Sequence, residues 1–200
     1  MPAHVSPHPG EKDQLIAYVA QQIDAFRTLA FGLTDEQARL TPTPSTLSIG
    51  GLVKHATGVL RGWTARVTAA PNSPAPDGRS GQERMAEHLA EFALADDESL
   101  ASALDRFDAQ SAQTLRDLES ADLDAAVPVP RDAPWFPKDV DAWSVRWVAL
   151  HLVEELARHA GHGDIIREAI DGATMYELVG GREGWPETEW LKPWRPADAK

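Results

Sequence analysis

Four long stretches of this chain carry apolar residues at helical spacing, and clusters of proline and glycine separate them. That punctuation leaves few folds open. The first stretch runs from about Glu11 to Phe31, with Leu15, Val19, Ile23, Phe26 and Ala30 forming one stripe before Gly32. Thr34 to Gln37 reads as a short capped turn, broken by Thr41-Pro42-Thr43-Pro44. The second stretch follows Ser48, a good N-cap residue, and carries Ile49, Leu52, Val53, Ala56, Val59, Leu60 and Trp63. It stops before the loop Pro71 to Gly78. Residues 79–95 are hard to read, and Glu83 to Phe92 fits a short helix or a surface insertion equally. The third stretch is expected to start near Asp96-Asp97, whose charges suit a helix N-terminus, and continues through Leu100, Leu104, Phe107 and Leu118. A proline-rich connection, Val127 to Pro137, precedes the fourth, which runs from about Ser144 to Ile170 and closes at Asp171-Gly172. No stretch reads as a strand. The pattern predicts an all-α four-helix bundle in a single domain over 1–200, with a flexible lead-in over 1–10 and an irregular Trp-rich tail over 173–200.

Charge and cysteine content narrow the function. Nineteen Lys and Arg against 31 Asp and Glu give a net charge of −12. That repels phosphate backbones and anionic membranes unless a basic cluster intervenes, and none is evident. With no cysteine, a metal must be held by His, Asp or Glu, and any thiol chemistry must use a thiol from outside the protein. No stretch approaches the roughly 20 apolar residues of a membrane span. The expected location is the cytoplasm.

The fourth stretch carries the chemistry. At 100° per residue, with His151 at zero, Glu155 falls at about 40°, His159 at about 80° and His162 at about 20°. Val148 and Ile166 fall in the same arc, so this polar row points where the core should be. Burying such groups without partners costs on the order of 1–3 kcal/mol each, which a bound cation would offset. Glu155 and His159, one turn apart, can reach a single ion. His55, between Leu52 and Val59 on the second helix, is the candidate third ligand. Two imidazoles and a carboxylate leave coordination positions open, as catalytic metals require. Zinc is the first choice, with nickel or ferrous iron also suited. Other readings stay open: a solvated polar face, a metal-free His–Glu network, or His162 replacing one of the ligands. His151 and His162 could otherwise shuttle a proton or orient a ligand. Trp63, Trp143 and Trp147 suit either a pocket wall or plain packing. Arg158 lies near the arc, where it suits the carboxylate of an acidic thiol or a surface ion pair. Glu154 is read as solvated, and His4, His8 and His88 carry little weight.

Ser48-Ile-Gly-Gly-Leu-Val-Lys-His55 and the segment from His151 to Gly172 resemble the two signature segments of the DinB/YfiT-like superfamily. More narrowly, they are similar to its actinobacterial branch related to mycothiol-dependent maleylpyruvate isomerase, and the resemblance extends into the tail Gly184 to Trp194. It implies an up-down-down-up bundle around a divalent metal, with His55, Glu155 and His159 on the positions of a His–Glu–His ligand set. It also implies a small-molecule thiol such as mycothiol as cosubstrate and a small electrophile as its partner. The isomerase's additional C-terminal domain has no counterpart here, which favours a small stand-alone transferase. A non-catalytic metal-containing binder or stress-response bundle is the alternative. Related bundles often pair, so a homodimer is also expected.

Overall fold

The computed structural model describes residues 4–131 and 136–196. Residues 1–3 of the expected lead-in, 132–135 of the proline-rich connection and 197–200 of the tail lie outside the described residues. The fold is predominantly helical, with one very small sheet.

Four long helices form the frame: α1 (Glu11–Ala30), α3 (Ile49–Ala69), α5 (Leu100–Ser120) and α6 (Val145–Asp171). Between the first two lies the five-residue α2 (Asp35–Arg39), closed by a reciprocal capping box of Thr34 and Gln37. Serines start the other three long helices. Ser48, Ser99 and Ser144 each accept a backbone N–H from three residues ahead, at Gly51, Ser102 and Trp147. These bonds satisfy amide groups that no intrahelical carbonyl can reach. The third long helix therefore begins at Leu100, just after Asp96-Asp97, because Ser99 has the capping geometry while the two aspartates lie in the turn before it. The 27-residue α6 ends at Gly172, whose left-handed φ of 79° suits glycine.

In the frame, α1 packs on α6 and α5, and α3 packs on α5 and α6. The stripes meet in one core that includes Val19, Ile23, Phe26, Leu52, Leu60, Phe107, Val148, Leu152, Leu156 and Ile166. Each such side chain contributes roughly 1.5–3 kcal/mol by leaving water.

Three readings of the sequence need correction or completion. First, residues 81–90 form helix α4 (Gly81–Ala90), which has no buried residue of its own. The chain after it is docked closely on α3: a Cβ at Gly51 would overlap the Phe92 carbonyl, and one at Gly58 would overlap the Glu91 carboxylate. Arg39 holds the same segment by donating to the carbonyls of Leu94, Ala95 and Glu98. Second, two three-residue strands do exist. β1 (Ala126–Pro128) pairs antiparallel with β2 (Ala142–Ser144), placing Val127 opposite Trp143 just before α6. Third, the tail is not wholly irregular, since it contains α7 (Met175–Glu183). Beyond α7, Trp194 returns to a small apolar cluster with Phe31, Ala173 and Leu178. Arg167 is fully buried beneath it, paired with Asp171 at 2.8 Å, and donates to the carbonyls of Leu29 and Phe31. Its guanidinium lies 4.8 Å from the Trp194 ring centroid. No helix is long and apolar enough to cross a membrane among the described residues.

Candidate metal centre

His55 stands near the first third of α3, on the edge that meets α6. It is 6% exposed, and its ring stacks on Phe92 at 4.5 Å. From α6, Glu155 and His159 project toward it one turn apart. Glu155 Oε1 lies 3.3 Å from His159 Nε2 and 4.0 Å from His55 Nε2. The ligand atoms of the three residues all fall within 4.8 Å of one another. The His159 ring beside it holds the Glu155 carboxyl below the ordinary carboxylate range, against the opposing effect of burial. Glu155 is therefore an ionised acceptor at neutral pH.

These donors suit a divalent cation. Bonds of about 2 Å from nitrogen and oxygen put neighbouring donor atoms roughly 3–4 Å apart, close to the spacing here. Three protein donors leave room for an outside ligand. His55 and Glu155 lie on a cavity of about 450 Å³ lined by residues of α3, α4 and α6, including also His88 and His151, with Phe136 from the connection. A column of aromatic rings runs up to the cavity, reaching it at Trp63 and His151. Trp143 and Trp147 stack at 4.2 Å and within 3° of parallel, and Trp147 stacks on His151 at 5.0 Å. Trp63 meets the His151 ring edge-on at 4.8 Å. Arg66 lies over Trp63 at 5.8 Å and also lines the cavity.

The other expected residues fall differently. His151 lines the cavity, and its Nδ1 is 3.2 Å from Glu154 Oε2. Glu154 is exposed but is tied to His151 by that contact. His162 shares the angular sector of the cluster yet neither joins the converging ligand atoms nor lines the cavity among the described residues. Arg158 is exposed and also outside the cavity lining. Sequence reasoning missed the acidic group from α4. Glu91 Oε2 lies 3.4 Å from His55 Nδ1 and 3.5 Å from His88 Nδ1. The only hint in the sequence was Gly58, whose missing side chain makes room for that carboxylate.

The fold and site thus define a predominantly helical protein in which facing helices converge a His–Glu–His donor set that could hold a metal ion beside a cavity. The chain belongs to the mycothiol S-transferase family, whose model matches residues 14–172. Its fold is similar to the crystal structure of a conserved protein from Enterococcus faecalis, 16% identical, with a TM-score of 0.53 over 83% of this chain and 100% of the other. No curated protein matches the chain.

Proposed function

We propose that this protein is a divalent-metal-dependent transferase that joins a low-molecular-weight thiol, mycothiol by family, to a small electrophile, or isomerises the electrophile through the thiol. The observation that carries this reading is the convergence of buried His55 with Glu155 and His159, the first two of which line a cavity large enough for small-molecule reactants. His55, Glu155 and His159 would hold the cation, with zinc the first choice and nickel or iron also suited to the donors. A divalent cation supplies a charge that lowers the pKa of an acidic group bound to it. The protein's own residues do the rest. With Glu154 accepting from Nδ1, His151 keeps its Nε2 lone pair to receive the thiol proton. Trp63 and Phe136, which line the cavity, offer apolar faces against which a small electrophile packs and water is displaced. The bundle in this reading is the DinB-like up-down-down-up arrangement, working in the cytoplasm.

The test starts with protein purified without an affinity tag. Elemental analysis should find close to one equivalent of a divalent metal, or uptake of added zinc. Incubation with mycothiol and monochlorobimane should then give a conjugate that disappears on chelation and in H159A. A protein that takes up no metal overturns the reading. A protein that takes up metal yet conjugates no member of a broad electrophile panel is a binding bundle, and the transferase assignment fails.

A further inference from the structure

We infer that Glu91, at the end of α4, is the positioning residue for His55: its carboxylate accepts the Nδ1 proton and turns the Nε2 lone pair toward Glu155 and His159. This rests on the metal reading above and extends it to a segment outside both signature stretches. A neutral imidazole has one lone pair and one N–H. If His55 Nε2 is the donor to a cation, Nδ1 must carry the proton, and a buried N–H needs an acceptor. His55 Nδ1 is buried and makes no hydrogen bond. The Glu91 carboxylate stands 3.4 Å from it. A slight shift of a flexible side chain would align that contact.

Independent features of the fold bring Glu91 there. Gly58, one turn beyond His55 on α3, has no side chain, and any Cβ would strike the Glu91 carboxylate. Gly51, one turn before His55, admits the Phe92 backbone just as closely. Phe92 stacks on the His55 ring and fixes its plane. On the outer side, Arg61 Nη2 lies 3.5 Å from Glu91 Oε1 and partly offsets its charge. A loop that merely covered α3 would not need a carboxylate fitted between Gly58 and a buried imidazole.

His55, His88 and Glu91 also bring ligand atoms within 4.8 Å of one another. That group and the Glu155–His159 group cannot both take a lone pair from one neutral ring. His88 is half exposed, with 48% of its side chain open to solvent, whereas Glu155 and His159 touch each other. The proton on Nδ1 and the lone pair on Nε2 fit both sets of neighbours at once. Metal-bound histidines are commonly oriented in this way by a carboxylate on the far nitrogen.

The test uses the full chain, zinc ion alone and a competing chelator. Wild type should bind one equivalent. Glu91→Ala should bind about 10- to 100-fold more weakly, Glu91→Gln should recover much of that loss through its amide oxygen, and His88→Ala should leave affinity unchanged. In metal-free protein, nitrogen-15 NMR of the His55 ring should show the Nδ1–H tautomer in wild type and lose that preference in Glu91→Ala. Undiminished zinc affinity in Glu91→Ala overturns the inference. So does a second bound equivalent that both Glu91→Ala and His88→Ala remove. If wild type binds no zinc, the metal reading falls, and the tautomer alone decides: Nδ1–H supports the role of Glu91 and Nε2–H overturns it.

Discussion

Gly51 and Gly58 lie two turns apart on one face of α3, yet an alanine has different consequences at each. At Gly51 the new methyl meets the backbone of Phe92, which has nowhere to go; at Gly58 it meets the tip of a flexible glutamate. Gly51→Ala should therefore cost about 1–3 kcal/mol in denaturant unfolding. Gly58→Ala should cost less stability but weaken zinc binding, because it displaces Glu91. A different residue effect belongs to Asp164, which lines a separate cavity between α1, α6 and α7. Burial, and then the neighbouring Glu168, push its pKa up to about 6 from 3.8. The folded state thus holds this proton more tightly than the unfolded chain, and the resulting stabilisation disappears as pH rises between ~4 and ~6. Asp164→Asn should match wild type at low pH and exceed it by roughly 1–3 kcal/mol above pH ~7, read from thermal melts across pH. At this scale, His55, Glu155 and His159 were legible because helical spacing places them. The wheel records angle alone, so it did not separate His162 from the residues whose ligand atoms converge. Glu91 was invisible because its position depends on glycines of another helix.

Elements were legible in proportion to the regularity of their burial. The stripes of α1, α3, α5 and α6 are long and face one core, so their periodicity survives in the sequence. In α7 only Leu178 and Gly180 are buried, so no stripe marks it. The strands have three residues each, too few for alternation to register. For α4, capping by Ser80 and Glu83 fixes the start, but the helix buries nothing, so sequence alone cannot separate helix from surface insertion. The start of α5 was expected near Asp96-Asp97 from their charge, and only geometry shows that Ser99 is the residue that caps it. Capping also yields a prediction. Ser144→Ala removes the acceptor for the Trp147 N–H and should cost about 1 kcal/mol. Because α6 carries Glu155 and His159 well beyond its first turn, zinc affinity should stay near wild type, which chemical denaturation and zinc titration can check together.

Across the whole molecule, the tail is joined to the frame through one buried cation. Arg167 reaches Asp171 on its own helix, two carbonyls at the end of α1 and the ring of Trp194. Arg167→Ala would strand the Asp171 carboxylate and both carbonyls, and should cost about 3–5 kcal/mol in calorimetry. The all-helical class was readable from punctuation and periodicity, but this junction was not. An arginine among Ile165, Ile166 and Ile170 reads as a surface residue until the tail folds back over it. Another long-range arrangement has an optical consequence. The near-parallel indoles of Trp143 and Trp147 couple their electronic transitions, so the native protein should show an exciton couplet in circular dichroism. Because the same column ends on His151, which lines the cavity, a molecule that displaces that imidazole and lets Trp147 shift would dim the couplet, giving an unlabelled gauge of occupancy.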